Sequence, residues 1–115
     1  MAQIPSKFQL FSQQWHVRPG TDKELPDELG KCYPDSNEIL IRPDQTADSI
    51  IHTFLHEILH SIEMKMHLEM SERQIDCMAL GLMDLFRNNP DMVGLLLPQE
   101  PEHLTKGEQD GEPQI

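Results

Sequence analysis

Two hydrophobic periods divide the chain, and the first of them predicts strands. In residues 8–17 (FQLFSQQWHV) apolar and polar residues alternate in two registers, which predicts either one bulged strand or a short hairpin. Residues 30–33 and 38–41 flank residues 34–37 (PDSN), whose composition is typical of a turn, and together they predict a hairpin. Residues 18–29 contain prolines, a glycine and several acids, so we expect an exposed loop there.

The second period is helical and follows Pro43. Apolar residues recur with helical spacing at positions 51, 54, 55, 58, 59, 62 and 66. Asp44 or Thr46 is expected to cap this helix, because a side-chain oxygen at the N-cap accepts hydrogen bonds from the first free backbone N–H groups. The first helix is therefore predicted to extend to about Met66.

A second helix is predicted after a short turn. Ser71 and Gln74 form the S-x-x-Q pattern of a capping box, in which each side chain bonds the backbone of the other residue. Pro90 cannot continue a helix and disfavours helical backbone at Asn89, so the second helix is expected to end there. The predicted fold is α+β, with a small antiparallel sheet of about three strands followed by two antiparallel helices.

Length and charge limit the domain count and the partners. A chain of 115 residues is long enough for one domain with one modest core. We expect that domain in residues 1–97 and a disordered, acidic and proline-rich tail in residues 98–115. The formal net charge of -11 repels phosphate groups, so direct binding to nucleic acid is not expected.

No segment of the sequence indicates secretion or membrane insertion. The N-terminus lacks a basic stretch followed by an apolar one, and the most apolar late segment, residues 92–97 (MVGLLL), is too short to span a bilayer. The chain has two cysteines, Cys32 and Cys77, and they do not form a C-x-x-C pattern. Such sparse cysteine usage is typical of reduced thiols. We therefore expect a cytoplasmic protein.

The candidate chemistry lies in residues 56–60 (HEILH), an H-E-x-x-H motif on the first predicted helix. Side chains four residues apart lie one turn apart on the same helix face, so His56 and His60 can bind one metal ion with Glu57 beside it. A chain of this composition would contain the motif by chance roughly 0.03 times. The motif therefore predicts a metal site; the simpler alternative is two surface histidines on an amphipathic helix.

The third ligand is expected on the second helix. A catalytic zinc site takes three protein ligands and leaves one position for water. The metzincin continuation of the motif is absent, because Glu63 and Met66 occupy its glycine and histidine positions. Glu72 and Asp76 instead form an E-x-x-x-D pattern.

H-E-x-x-H followed by E-x-x-x-D resembles the gluzincin metallopeptidases and, more narrowly, the small ImmA/IrrE-type domains often encoded by phages and mobile elements. Gly30, the strand at residues 39–41, Thr53 and Ala79 match further positions that are individually weak. The resemblance covers roughly residues 30–86. It implies a zincin-like fold, a bound Zn²⁺ and a protein substrate such as a regulator in phage or mobile-element biology.

The resemblance and simple helix geometry point to different third ligands. The resemblance implies that Glu72 completes the zinc site and that Asp76 accepts the ring N–H of a ligand histidine. Straight antiparallel helices with a rise of 1.5 Å per residue would instead place Glu72 about 9 Å above His60, with Asp76 ~6 Å lower and nearer to the metal. Glu72 is the preferred ligand, and Asp76 stays as the alternative. Zinc suits this ligand set, but Fe, Mn and Co accept the same ligands.

A zinc-dependent metallopeptidase is the first functional prediction. Zinc would polarise the scissile carbonyl and lower the pKa of its water, and Glu57 would act as general base. The strand at residues 38–41, if it lies at an edge of the sheet, would hold an extended peptide. Tyr33, His52 and His67 are candidates for stabilising the oxyanion.

Two other functions fit the same motif. One is a metal-binding interaction protein, such as a phage accessory or anti-defence factor, in which zinc is structural and the acidic surface binds a partner. A fourth protein ligand from His52, His67 or a cysteine would favour that role, whereas an open position beside Glu57 would favour the enzyme. The other is a degenerate zincin that binds peptides without cutting them.

Overall fold

The computed structural model describes residues 4–98, and this part of the chain is an α+β fold, as predicted. Its elements in chain order are strands β1 (Lys7–Leu10), β2 (Gln13–Pro19), β3 (Gly30–Tyr33) and β4 (Glu38–Ile41), then helices α1 (Ala47–Lys65), α2 (Glu72–Asn88) and α3 (Met92–Leu95). The described chain divides into two units between Asp84 and Leu85. Apart from Pro98, the predicted tail lies outside the described residues.

The sheet has four strands in the order β1-β2-β4-β3. It is mixed rather than purely antiparallel, because β2 and β4 pair in parallel while the two hairpins pair antiparallel. The additional strand arises because residues 8–17 form the hairpin rather than the bulged strand. Phe11 and Ser12 have φ angles of 53° and 65°, as a two-residue hairpin turn with both central residues in the left-handed region requires.

Strand β4 lies inside the sheet, so the expectation that it could be an edge strand is wrong. Ile39, Leu40 and Ile41 are all fully buried, and a strand buried on both faces belongs between neighbours. The edge on this side of the sheet is β3.

The core lies between the sheet and one face of α1. Trp15 and Val17 of β2 form a buried cluster with Ile39 and Ile41 of β4. The residues of α1 that pack against this cluster are Ile50, Phe54 and Ile58. Burial of each large apolar side chain contributes about 1.5–3 kcal/mol. This packing fixes the rotation of α1, and the positions at 54 and 58 confirm the predicted helical period.

The helix termini follow the predicted local rules. Thr46 is the N-cap of α1, and its side chain accepts a hydrogen bond from the N–H of Ser49. Before α2, the N–H of Ser71 donates to Gln74 and the N–H of Gln74 donates to Ser71, so the capping box is confirmed. Within residues 4–98, no helix is long and apolar enough to cross a membrane.

The connection between α1 and α2 turns back sharply. His67 has a φ angle of 58°, in the left-handed region. The N–H of Leu68 donates to the carbonyl of Glu63, and the N–H of Met70 donates to the side chain of Glu63. The chain therefore returns to the level of Glu63 before α2 begins.

Candidate metal centre

Helix α1 presents the H-E-x-x-H side chains on one face, as the spacing predicts. The rings of His56 and His60 lie one turn apart, with centroids 4.8 Å from each other. The side chains of His56 and His60 are 17% and 10% exposed. The two imidazoles are therefore held beside each other by the helix that the core fixes in rotation.

The carboxylate of Glu72 faces both imidazoles. Its Oε1 lies 3.0 Å from Nε2 of His56, and its Oε2 lies 2.9 Å from Nε2 of His60. Glu72 is the first residue of α2, directly after the capping-box serine, so the helix start sets its position. The Glu72 side chain is 77% exposed, so this group is accessible from solvent.

The three side chains fit a metal ion. One ligand atom each from His56, His60 and Glu72 lies within 4.8 Å of the other two. In a tetrahedral zinc site with bonds of about 2.0–2.2 Å, neighbouring ligand atoms are about 3.4 Å apart. The observed separations of 3.0 and 2.9 Å are hydrogen-bond distances to two different oxygens of Glu72 and are shorter than this spacing, so the three side chains converge on one point.

Two further carboxylates face the other nitrogen of each ring. Asp76 Oδ1 lies 3.2 Å from Nδ1 of His56, and Glu63 Oε2 lies 3.1 Å from Nδ1 of His60. A carboxylate that accepts the Nδ1–H leaves the Nε2 lone pair for a metal and fixes the ring orientation. Both histidines are therefore arranged to offer Nε2 toward Glu72.

A second group within metal-binding distance, His52, His56 and Asp76, shares His56 with the first. Asp76 Oδ1 lies 3.0 Å from Nε2 of His52 without forming a hydrogen bond to it. A neutral imidazole that binds a metal through Nε2 keeps its proton on Nδ1, and in His56 that proton points to Asp76. The second group therefore consists of His56, the Asp76 carboxylate that orients its ring, and the neighbouring His52.

The structure differs from the straight-helix estimate of the position of Glu72. That estimate assumed that the chain continues upward from His60 before α2 starts. Because the connection returns to the level of Glu63 by Met70, Glu72 lies beside His60 rather than about 9 Å above it. Asp76 then faces His56, one turn earlier on α1.

Glu57 is the buried carboxylate of the motif. Its residue exposure is 6%, and burial raises the pKa of Glu57 above its ordinary value, although His60 and His56 oppose this effect. A Cβ atom built on Gly30 would lie 3.1 Å from Cγ and 3.2 Å from Oε2 of Glu57. The carboxylate therefore lies directly against the backbone of β3.

The pKa values of Glu72 and His60 are shifted by the hydrogen bonds that these two side chains make in the site. The partial desolvation of Glu72 in the site alone would raise its pKa, but hydrogen bonds with His56 and His60 outweigh this effect and lower the pKa. Burial alone would lower the pKa of His60, but hydrogen bonds to Glu63 and Glu72 outweigh it and raise the pKa. The hydrogen-bond partners therefore favour the charged form of both Glu72 and His60.

A cavity of about 520 Å³ connects the candidate ligands to the edge of the sheet. Its lining includes the consecutive β3 residues 30–32, the face of α1 that carries the motif, and Glu72 and Asp76 of α2. Among the three candidates for stabilising an oxyanion, His52 lines the cavity, whereas Tyr33 and His67 are not among its described lining residues. Glu57 shares this cavity with the histidines.

The cysteines do not complete the candidate metal site. Cys32 lines the cavity, but its Sγ lies 3.1 Å from Oγ of Ser61, and burial raises the pKa of the thiol. A thiol must lose its proton to bind zinc well. Cys77 is exposed, and within residues 4–98 neither cysteine belongs to a group within metal-binding distance.

Glu63 is the residue of the site that the sequence reasoning missed. The sequence pattern predicts Glu63 as a surface residue on the same face as His67, and otherwise only as the residue that breaks the metzincin pattern. That expectation is wrong, because Glu63 is 7% exposed and bonds both His60 and Met70. The N–H of Met70 is the main cause of the lowered pKa of Glu63. Its spacing of three residues after His60 placed it on the same helix face, and that was the available signal.

Gly30 and Gly81 provide a matched pair of alanine substitutions with opposite expected effects. A Cβ at Gly30 would lie 2.6 Å from Cγ2 of Thr53 as well as against Glu57, so Gly30→Ala should lower the free energy of unfolding by about 1–3 kcal/mol. Gly81 lies inside α2 with nothing within 4 Å of such a Cβ, so Gly81→Ala should raise it by about 1 kcal/mol. Urea denaturation of both variants measures these changes. A stabilising Gly30→Ala would contradict the close packing of β3 on Glu57.

Comparison of this chain with protein-family models, with curated proteins and with solved structures finds no match to any of them.

Proposed function

We propose that this chain is a zinc-dependent metallopeptidase that hydrolyses peptide bonds in a protein substrate. The observation that carries the proposal is that Nε2 of His56 and Nε2 of His60 face one carboxylate, Glu72, with the buried Glu57 lining the same cavity. The resemblance of the motifs to ImmA/IrrE-type domains supports the same reading.

His56, His60 and Glu72 would hold the zinc ion. Three protein ligands leave a position for water and substrate, which is the arrangement of catalytic rather than structural zinc. When bound, zinc supplies Lewis-acid chemistry that polarises a carbonyl and makes water more acidic. Asp76 and Glu63 would keep both histidines in the tautomer that offers Nε2.

Glu57 would move the proton. Its carboxylate would accept a proton from the attacking water and deliver it to the leaving amine. Its burial supports this role, because a raised pKa makes a carboxylate a better base and, once protonated, a usable acid. His52, which lines the cavity beside Asp76, would donate a hydrogen bond to the developing oxyanion.

The substrate would lie along β3. An extended peptide adds to an exposed sheet edge through main-chain hydrogen bonds, and β3 is the edge strand whose residues 30–32 line the cavity. This pairing would place a peptide bond between β3 and the motif face of α1. By its resemblance, the substrate would be a regulatory protein, and the enzyme would act in the cytoplasm without direct contact to nucleic acid or membrane.

Cleavage of a peptide library by the zinc-loaded protein tests the proposal. Incubation with a complex mixture of denatured peptides, followed by mass spectrometry, should reveal new termini in the wild-type sample. A chelator should abolish their appearance, and added Zn²⁺ should restore it. If the protein binds zinc but produces no new termini, the metal-binding interaction protein becomes the better description.

A further inference from the structure

The carboxylate of Glu63 divides its two oxygens between two elements of the site. Oε2 lies 3.1 Å from Nδ1 of His60, and Oε1 accepts a hydrogen bond of 2.9 Å from the N–H of Met70. Glu63 is 7% exposed, so water cannot readily replace either partner. One side chain therefore contacts a proposed ligand on α1 and the backbone two residues before Glu72.

We propose that Glu63 is a positioning residue of the metal centre, which fixes the orientation of His60 and the place of Glu72 through its two carboxylate oxygens. This inference rests on the proposed metal site. It extends that site beyond the H-E-x-x-H residues, because it makes the third residue after His60 part of the metal-binding unit.

The orientation of His60 depends on the charge of its partner. An ionised carboxylate only accepts hydrogen bonds, so it holds the proton of His60 on Nδ1 and leaves Nε2 free to bind a metal. Nε2 of His60 faces Glu72 at 2.9 Å, which is the side on which the metal would bind. A partner that donates to Nδ1 would move the proton to Nε2 and block the metal.

The place of Glu72 depends on the second oxygen. After α1 ends, the N–H of Met70 bonds Glu63, and the capping box at Ser71 and Gln74 follows at once. Glu72 is the first residue of α2, so a shift of Met70 would be transmitted to it within one helical turn. The bond from Met70 to Glu63 thus fixes the distance between the two sides of the site.

Glu63→Gln separates this role from simple packing. The amide has the same shape, but it has one acceptor oxygen and one donor nitrogen. If its oxygen bonds Met70, its nitrogen faces His60 and favours the wrong tautomer; if the amide is flipped, the bond from Met70 is lost. Either orientation keeps the volume and disrupts one half of the arrangement.

The test is the affinity for Zn²⁺ and the visible absorption spectrum of the Co²⁺-loaded protein. Glu63→Gln should weaken Zn²⁺ binding about 10–100-fold and change the Co²⁺ bands, while the metal-free protein keeps its helical circular dichroism. Glu69→Gln is the matched control, because Glu69 lies on the same connection and is exposed. It should bind both metals like the wild type.

Equal Zn²⁺ affinity and an unchanged Co²⁺ spectrum in Glu63→Gln would overturn the inference while leaving the metal site intact. A wild-type protein that binds no metal would overturn both proposals. NMR of the zinc-loaded wild type tests the inference without a variant. The ring proton of His60 should be on Nδ1 and exchange slowly with water, and a proton on Nε2 would contradict the inference.

Discussion

Purified wild-type protein should bind about one Zn²⁺ per chain, and His60→Ala or Glu72→Ala should reduce binding below detection at the same concentrations. The reason is geometric, since His60 and Glu72 each supply one of only three ligand atoms in the group with His56. A site reduced to two protein ligands lacks one of the three that a catalytic zinc site takes, so zinc should bind it only weakly. Metal content by mass spectrometry after dialysis measures the loss.

Asp76→Ala should have a smaller effect. Asp76 faces Nδ1 of His56 rather than the Nε2 side shared with Glu72, so its removal weakens the orientation of a ligand without removing one. Loss of such a hydrogen-bond partner costs about 10–100-fold in metal affinity. Full loss of zinc in Asp76→Ala with normal binding in Glu72→Ala would reverse the two roles.

Thermal unfolding provides an independent measure of the same site. Zinc at 100 times its dissociation constant should stabilise the wild type by about 2.7 kcal/mol, a rise in Tm of roughly 10–20 °C for a domain of this size. His60→Ala should show no such rise. His67→Ala is the control histidine, because His67 is exposed and belongs to neither ligand group of the described residues, and it should respond like the wild type.

Most of the secondary structure was predictable because its signals are local. The capping box at Ser71, the N-cap at Thr46 and the turn of residues 34–37 all depend on side chains within a few residues of the backbone that they bond. The helical period at Phe54 and Ile58 likewise depends only on which positions share a face. These features need no knowledge of the rest of the fold.

The pairing of β2 with β4 could not be predicted in the same way. It joins His16–Pro19 to Glu38–Ile41 in parallel, across the loop and the whole of β3. The continuous apolar run at residues 39–41 was a signal for burial on both faces, but it does not indicate which strand lies on either side. A peptide-binding role for residues 38–41 therefore stayed conditional on an edge position, and the edge on this side of the sheet is β3.

The third ligand was ambiguous for a related reason. Helix geometry gives heights along straight axes, whereas the connection after Lys65 reverses within a few residues. The reversal depends on the buried carboxylate of Glu63 and on the left-handed backbone at His67. Neither is visible in the hydrophobic pattern, so the sequence alone left Glu72 and Asp76 as alternatives.

Glu57→Gln should keep the zinc ion and lose hydrolysis. The substitution preserves the size of a side chain that is 6% exposed and packed against Gly30, so the fold and the ligand set should persist. An amide cannot accept the proton of the attacking water, and general acid–base catalysis contributes about 10²–10⁴-fold to rate. Cleavage of the peptide library should fall by at least that factor at unchanged zinc content.

The matched control for this substitution is Glu28→Gln, because Glu28 is an exposed glutamate that lines the same cavity from the loop before β3. It should retain cleavage, which shows that loss of a cavity charge alone is not sufficient. Retained turnover in Glu57→Gln at full zinc occupancy would remove the proton-transfer mechanism. It would do so without affecting the metal site, since Glu57 lies outside the group of His56, His60 and Glu72. We therefore expect chemistry and metal binding to be separable in adjacent residues of one helical turn.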